Sequence, residues 1–172
     1  MSYLVYVTND VDLLELPLPP GYSFRLWKPS FKSIAPPNIG FGFGLWTLAH
    51  YFRVFRNRDL AVLFIVDAEG RKVHHSYIVP AYFRWPFMAR NDLQISSTWT
   101  DPDLRGKGLA KSALRKAVKL MQQPGRRFWY VTLESNSASV AVCENANFSL
   151  VGHARRVSFL GIRLLGRLIM EE

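Results

Sequence analysis

The clearest pattern of apolar and polar positions lies at residues 109–121, LAKSALRKAVKLM, where apolar residues recur every three or four positions. Lysine, serine and arginine take the positions between them, so the two kinds of residue fall on opposite sides of a helix. This spacing predicts an amphipathic helix with one buried face. The following QQPG, residues 122–125, predicts its end because proline and glycine interrupt helices.

Other segments alternate or run in the manner of β-strands. We expect strands at residues 3–7, 22–26, 60–66, 72–79, 93–100 and 127–134, then one or two closing strands within 148–162. Two more helices are expected. One covers 45–55, with Leu45, Leu48, Phe52 and Phe55 as its apolar side, and the other covers 136–146, capped by Ser135 or Asn136. This order predicts an α/β (α+β) fold, a mixed sheet flanked by helices, in one domain spanning 1–172.

Composition adds a basic surface to this picture. The 172 residues are 49% hydrophobic and carry 22 Lys plus Arg against 13 Asp plus Glu, a net charge of +9. Such a surface favours anionic partners such as nucleic acid, phosphorylated cofactors or membrane headgroups. Cys143 is the only cysteine, so no intrachain disulfide can form, and four histidines without paired spacing predict no metal site. With no signal-peptide pattern at the first residues, we expect a soluble, cytoplasmic protein.

Candidate chemistry begins at DPDLRGKGLAKSAL, residues 101–114, where a predicted strand leads into the 109–121 helix. The first turn of a helix has unpaired backbone N–H groups and a positive dipole end. Gly106 and Gly108 let a ligand approach the backbone, while Arg105, Lys107 and Lys111 add charge. These features predict a phosphate or pyrophosphate site. The alternative is a glycine-softened helix start with solvated lysines.

The same stretch resembles the GNAT superfamily of acyl-CoA N-acyltransferases. Members often read VHPDYRGKG at this point, with the pattern [QR]-x-x-G-x-[GA], which Arg105, Gly108 and Ala110 match. A second segment, NSASVAVCENANF at 136–148, resembles the family's N-x-x-S-x-x-x-Y-E-K-x-G-F but departs from it at Cys143 and two asparagines. The resemblance covers about 60–153 well, and residues 1–59 match it only in the order of elements.

The resemblance implies acetyl-CoA as cosubstrate. The strands at 93–100 and 127–134 would splay, the pantetheine arm would lie between them, and the thioester would sit near Ser97 and Thr98. Backbone amides from 105 to 110 would hold the pyrophosphate. The implied cofactor-binding residues are Trp99, Thr100, Arg105, Gly106, Lys107, Gly108, Leu109, Ala110, Asn136 and Ser139.

The catalytic candidates are Asp92, Gln94 and Cys143. Gln94 stands where many relatives carry a glutamate base, and glutamine cannot take a proton at neutral pH. Asp92, two residues earlier, shares its strand face and could act through water. Cys143 replaces the usual tyrosine acid, although a helical cysteine is more often a small buried hydrophobe.

Each candidate also has an ordinary interpretation. For Asp92 it is a turn residue. His74 and His75, on the neighbouring strand, are further candidates for the base, and their ordinary interpretation is a solvated pair on a hairpin. Tyr77 and Tyr82 are substitutes for the missing acid.

The leading hypothesis is an N-acetyltransferase for a small-molecule amine, an amino sugar or a nucleotide-linked amino sugar. Its acceptor face would come from residues 22–59, the hairpin and 82–92, which are rich in aromatic residues and arginine. A catalytically silent CoA-binding protein and a basic nucleic-acid-binding domain are the alternatives, the second less favoured. A protein amine as acceptor and a homodimer also stay open.

The last residues, 154–172, raise a separate question. If helical, 155–170 forms a basic amphipathic segment that could lie on a membrane surface or dock on a partner. We favour a final strand and a helix packed on its own domain, or a dimer contact, because Gly161 and Gly166 weaken an isolated helix.

Overall fold

The computed structural model describes residues 2–9, 16–36, 39, 43–159 and 162–171. Within them one eight-stranded sheet has the order β2-β3-β4-β5-β6-β1-β7-β8. The strands are β1 (Ser2–Thr8), β2 (Ser23–Trp27), β3 (Ala61–Val66), β4 (Lys72–Pro80), β5 (Leu93–Thr100), β6 (Phe128–Leu133), β7 (Ser149–Phe159) and β8 (Ile162–Met170). The helices are α1 (Gly44–Tyr51), α2 (Leu109–Met121) and α3 (Ser137–Asn145), and a 3-10 turn covers Pro102–Leu104. The mixed sheet flanked by helices confirms the expected fold.

Helix α2 follows the sequence pattern closely. Its apolar face is buried in the core against β3, β4 and β5, and its charged face points to solvent. Helix α3 also begins as expected, because the Asn136 side chain caps it by accepting a hydrogen bond from the Ser139 N–H at 3.1 Å. Both helices therefore begin at the residues that the sequence indicated.

The pairing of β5 with β6 is the feature that creates the site. These strands are parallel and pair only at Leu93 with Phe128 and at Gln94 with Trp129. β5 then continues to Thr100 while paired with β4 alone, so a wedge-shaped gap opens between it and β6. The expected splay is therefore present, with its closed end at Gln94.

The position of β1 could not be read from the sequence. It lies between β6 and β7 and is antiparallel to both. A strand from the start of the chain thereby fills the centre of the half-sheet that carries β6. Because a strand's neighbours depend on contacts far along the chain, local alternation predicts the strand but not its place.

Two expectations about helices are wrong. Helix α1 ends at Tyr51 instead of continuing to residue 55. Leu45, Leu48 and Phe52 of the expected apolar side are exposed, whereas Thr47 and His50 are buried. At the other end of the chain, residues 162–170 form β8, which pairs with β7, so neither the favoured packed helix nor the alternative amphipathic helix is present there. Residues 160–161 of that segment lie outside the described part of the chain.

Within the described residues, no helix is both long and apolar enough to span a membrane.

Candidate active site

A cavity of about 560 Å³ occupies the gap between β5 and β6. Its walls come from the end of β5, the segment that leads to α2, the first turn of α2, and α3. Lys107 is not among its lining residues. The other residues predicted to hold the cosubstrate all line it: Trp99, Thr100, Arg105, Gly106, Gly108, Leu109, Ala110, Asn136 and Ser139.

The loop before α2 has the geometry of an anion cradle. Gly106 and Gly108 have φ angles of 78° and 77°, in the left-handed region that side chains rarely adopt. A Cβ atom placed on either glycine would meet no heavy atom within 4 Å, so the loop surface is open. No side chain caps the α2 N-terminus, which leaves its first N–H groups free to bind an anion. The loop therefore fits a pyrophosphate.

A second helix start adds to the positive potential of the cavity. Asn136 and Ser139 lie at the N-terminus of α3, and both line the cavity opposite the α2 loop. The positive ends of two helix dipoles thus face one space, beside the Arg105 side chain. The Arg105 Nε donates to the Thr100 carbonyl at 3.4 Å, which holds the guanidinium at the end of β5.

A β-bulge lies along the open edge of β5. Ser97 has a φ of 48°, and the register between β4 and β5 shifts there, between His75 and Tyr77. Strain of this kind in a non-glycine residue is typical of functional sites. The bulge lies between the closed end of the gap at Gln94 and the cavity residue Thr98, where the resemblance puts the thioester.

Gln94 sits at the closed end of the gap. It is 3% exposed, and its Oε1 has no hydrogen-bond partner among the described residues. A buried amide oxygen without a partner is costly, so it marks a place where a water or a substrate N–H would bind. The side chain shares the sheet face of Val79 and Trp129, opposite α2 and α3.

Asp92 has its oxygens engaged by neighbouring donors. Its Oδ2 accepts from the Trp129 Nε1–H at 2.7 Å, from Arg127 Nη2 at 2.9 Å and from the Ala89 N–H at 2.9 Å. Its Oδ1 accepts from the Arg127 N–H at 3.3 Å. These bonds tie the start of β5 to the start of β6, which supports a structural role at the closed end of the gap.

Cys143 is the buried residue of α3 and packs into the core. It has no exposed surface and does not line the cavity, and burial raises the pKa of its thiol far above the ordinary value. The structure thus does not bring the three catalytic candidates Asp92, Gln94 and Cys143 to one place.

The two histidines of β4 face opposite sides of the sheet. The interpretation as a solvated pair is wrong for His74, which is fully buried under the α2–α3 face. Its Nδ1 lies 2.8 Å from the Thr100 hydroxyl and its Nε2 lies 3.0 Å from the Ser76 hydroxyl. Burial, assisted by His75, lowers the pKa of His74 to about 3. His74 is therefore neutral at physiological pH.

A continuous row of rings crosses the other face of the sheet. His75 stacks between Tyr77 and Trp99, with ring centroids 5.4 and 5.5 Å apart, and burial lowers its pKa to about 4. Tyr77 meets Phe43 edge-on at 4.9 Å, and Phe43 meets Trp27 at 5.5 Å. The row runs from the edge strand β2 to Trp99, which also lines the cavity. We name these five residues the aromatic row.

The comparisons agree with this geometry. The model of the Acetyltransferase (GNAT) family matches residues 36–148, and the chain therefore belongs to this family. The splayed strands and glycine loop described above lie within the matched segment. No curated protein matches the chain.

Solved structures show the same fold at low identity. A GCN5-related N-acetyltransferase from Sphaerobacter thermophilus is 16% identical with a TM-score of 0.61, over 88% of this chain and 49% of that one. A tandem GNAT protein from the clavulanic acid biosynthesis pathway is 16% identical with a TM-score of 0.56, over 87% and 50%. A GNAT-family acetyltransferase from Colwellia psychrerythraea is 14% identical with a TM-score of 0.55, over 88% and 53%. This chain spans about half the length of these structures.

Tyr130 is one of the cavity residues that the sequence analysis missed, and the others include Leu104, Ala138, Ala141, Val142 and Asn145. Tyr130 is the first residue of β6 beyond the last pair with β5, and its side chain lines the cavity. No motif marks it, because it lies inside an apolar strand. Tyr130 reaches the cavity because β5 and β6 separate directly before it, and this separation is visible only in the structure. In the described part of the chain, no group of three or more metal-ligating side chains is close enough to hold a metal ion.

Proposed function

We propose that this protein is an N-acetyltransferase that moves an acetyl group from acetyl-CoA to the amine of a ring-bearing small molecule, an amino sugar or a nucleotide-linked amino sugar. One observation carries the proposal. The gap between β5 and β6 forms a cavity whose mouth is the open glycine loop at the α2 N-terminus. This arrangement suits a long ligand with a pyrophosphate at one end and a reactive group at the other.

The chain's own backbone would bind the cosubstrate. The N–H groups of the loop at 105–110 and the Arg105 guanidinium would hold the pyrophosphate. Between Ile95 and Thr100, β5 has no pairing on the side of the gap, so its backbone groups would pair with the amides of the pantetheine arm like an added strand. The acetyl group would then lie near the bulge at Ser97.

The acceptor would approach from the face that carries the aromatic row. Flat faces of Trp99, His75 and Tyr77 suit a ring-shaped acceptor, since aromatic side chains bury large flat areas with little loss of rotamer entropy. The unpartnered Oε1 of Gln94 lies on this same face and would accept a hydrogen bond from the attacking amine or from a water beside it. Holding the two substrates together accounts for much of the rate in such reactions.

The test is a calorimetric titration of acetyl-CoA into the purified protein and into Gly108→Trp. We expect the variant to bind at least about 100-fold more weakly, because an indole would occupy the anion cradle. Gly125→Trp is the matched control, since Gly125 has a φ of 70° and open space around its Cβ but lies beyond the end of α2. Both substitutions put tryptophan at a left-handed φ, so the backbone strain is similar in the two variants. Only Gly108→Trp changes the loop before α2.

Equal loss of binding in the two tryptophan variants would mean that strain, not the loop, is responsible. No binding by the folded parent protein would overturn the proposal. If the parent binds, release of CoA is then followed with a panel of amines that includes glucosamine and a nucleotide-linked amino sugar.

A second candidate is a CoA-binding protein without transferase activity. The observation that favours it is Gln94, a residue that cannot act as a base and stands where the resemblance implies a glutamate. Binding of acetyl-CoA without CoA release for any amine would support it. Restored turnover in Gln94→Glu would strengthen that interpretation.

A further inference from the structure

Tyr130 lines the cavity at the point where β6 separates from β5. Tyr130 follows directly after Trp129, the last residue of β6 that pairs with β5, and its ring is buried in the α2–α3 core beside Phe148. The hydroxyl groups of Thr98 and Ser139 hydrogen bond with the phenol and lower its pKa, although burial has a larger effect and the net shift is upward. Tyr130 is therefore a protonated donor beside the expected position of the thioester.

A file of hydrogen-bonding side chains leads from Thr98 into the protein. The Thr98 Oγ1 lies 3.1 Å from the Ser76 Oγ, which lies 3.0 Å from the His74 Nε2. The His74 Nδ1 lies 2.8 Å from the Thr100 Oγ1. Thr98 and Thr100 both line the cavity, so the file leaves it at one point and returns to it at another. Tyr130, Thr98, Ser76, His74 and Thr100 are named the hydroxyl–imidazole file.

Each member of this file can donate and accept. Hydroxyl groups do both, and a neutral imidazole has one donor and one acceptor nitrogen. His74 stays neutral because burial lowers its pKa, and both of its nitrogens face hydroxyls. The surrounding core is aliphatic, including Val73, Ile78 and Ile95. A row of such groups between two points of one cavity can pass a proton by successive transfers.

The other candidates for a proton donor are placed elsewhere. Cys143 does not line the cavity. Tyr82 packs in the core on the opposite face of the sheet, and burial raises its pKa to about 12. Tyr77 belongs to the aromatic row on that same face. Among the described tyrosines, only Tyr130 lines the cavity.

We propose that Tyr130 is the proton donor to the departing CoA thiolate and that the hydroxyl–imidazole file returns a proton to it; this inference rests on the proposed function. As the thioester C–S bond breaks, its electron pair stays on sulfur, the Tyr130 O–H bond breaks and an S–H bond forms. Thr98 then protonates Tyr130, Ser76 protonates Thr98, the His74 Nε2–H protonates Ser76, and Thr100 protonates the His74 Nδ1. Water in the cavity supplies Thr100. The amine gives one proton to water for each acetyl group transferred, so the protons balance.

The first test needs no acceptor. The thiol of bound CoA is titrated by its thiolate absorbance in the parent protein, in Tyr130→Phe and in Tyr6→Phe, with desulfo-CoA as the blank. A hydroxyl that donates to the thiolate stabilises it, so we expect the thiol pKa to be about one to two units lower in the parent than in Tyr130→Phe. Tyr6 is the matched control, because its hydroxyl bonds Glu144 in the same core and does not line the cavity. Equal thiol pKa values in the parent and Tyr130→Phe would overturn the assignment.

The second test concerns turnover with the amine identified in the screen. We expect kcat to fall about 100-fold in Tyr130→Phe with the Kd for acetyl-CoA within about threefold of the parent. Ser76→Ala breaks the file but keeps Tyr130, so its kcat should fall less. The solvent deuterium isotope effect on kcat should curve with deuterium fraction in the parent and become linear in Ser76→Ala. Parent-like kcat and isotope curve in Ser76→Ala would refute the file.

These outcomes are distinguishable from failure of the proposed function. If the parent does not bind CoA, the proposed function is wrong and the inference falls with it. If the parent binds CoA and acetylates an amine while Tyr130→Phe matches it in kcat and thiol pKa, only the inference is wrong.

Discussion

The two faces of the sheet are built differently. On the face of α2 and α3, seven of the thirteen residues of α2 are buried. Of the eight residues of α1, on the other face, only Thr47 and His50 are buried, while Leu45 and Leu48 are exposed, as is Phe52 directly after the helix. The first face carries the cavity and the hydroxyl–imidazole file, and the second carries the aromatic row.

This difference separates two tasks. The α2–α3 face offers backbone donors and a closed core, which suits one fixed cosubstrate. The α1 face offers rings and exposed apolar side chains, which suits an acceptor or a partner that covers them. Variants on the two faces should therefore change different properties.

The largest contrast is expected in stability. Leu114 on α2 has no exposed surface, and Leu45 on α1 is 72% exposed. Leu114→Ala should lower the free energy of unfolding by about 3 kcal/mol, because it leaves a cavity in the core. Leu45→Ala should change it by less than about 0.5 kcal/mol. Urea unfolding followed by circular dichroism measures both, and equal losses would show that the α1 face is packed in solution.

The next contrast concerns pH. Because the pKa of His74 is about 3 when folded and about 6.5 when unfolded, the unfolded chain binds a proton first as pH falls. Stability from this group is complete above pH 6.5 and is lost as pH falls below it, by about 2 kcal/mol at pH 5. His74→Gln should reduce the loss between pH 7 and pH 5 by that amount in urea titrations. His153→Gln, at an exposed histidine on β7, should keep the parent's loss. A parent-like slope in His74→Gln would contradict the burial of His74.

A smaller effect should appear on the acceptor side. Trp27→Leu removes the outer end of the aromatic row and its Nε1–H bond to the Ser33 hydroxyl at 2.8 Å. We expect KM for the amine to rise about tenfold, with KM for acetyl-CoA unchanged, because Trp27 lies outside the cavity. Leu120→Ala, at an exposed apolar side chain of α2 that lies outside the cavity, is the control and should leave both KM values unchanged. If only the KM for acetyl-CoA rose, the aromatic row would be assigned to binding acetyl-CoA and not the amine.

The smallest effect on activity is expected at Cys143. Its thiol is buried and protonated, so Cys143→Ala should leave kcat within about twofold of the parent, with stability lowered by about 1 kcal/mol. Steady-state kinetics and a urea curve measure the two values. A large loss of kcat with unchanged stability would show that the Cys143 thiol takes part in catalysis.

The sequence predicted the parts of the site that depend on local backbone chemistry. The glycine loop, the start of α2 and the Asn136 cap follow from residues close together in the chain, and the structure has them where expected. The strand that becomes β5 was predicted with its observed bounds. Tyr130, the burial of His74 and the exposure of α1 depend on residues far apart, so no local pattern contained them.

Local rules therefore determined most elements of this protein, although not the end of α1 or strand β8, because helix periodicity, capping and turns involve neighbouring residues. Tertiary structure decided which face of each element is buried, where β1 enters the sheet and where β5 leaves β6. The separation of β5 from β6 opens a cavity between two ordinary strands and makes Tyr130 part of its wall. Burial then sets the protonation of His74 and Cys143, because the desolvation of a charged group depends on all the atoms packed around it.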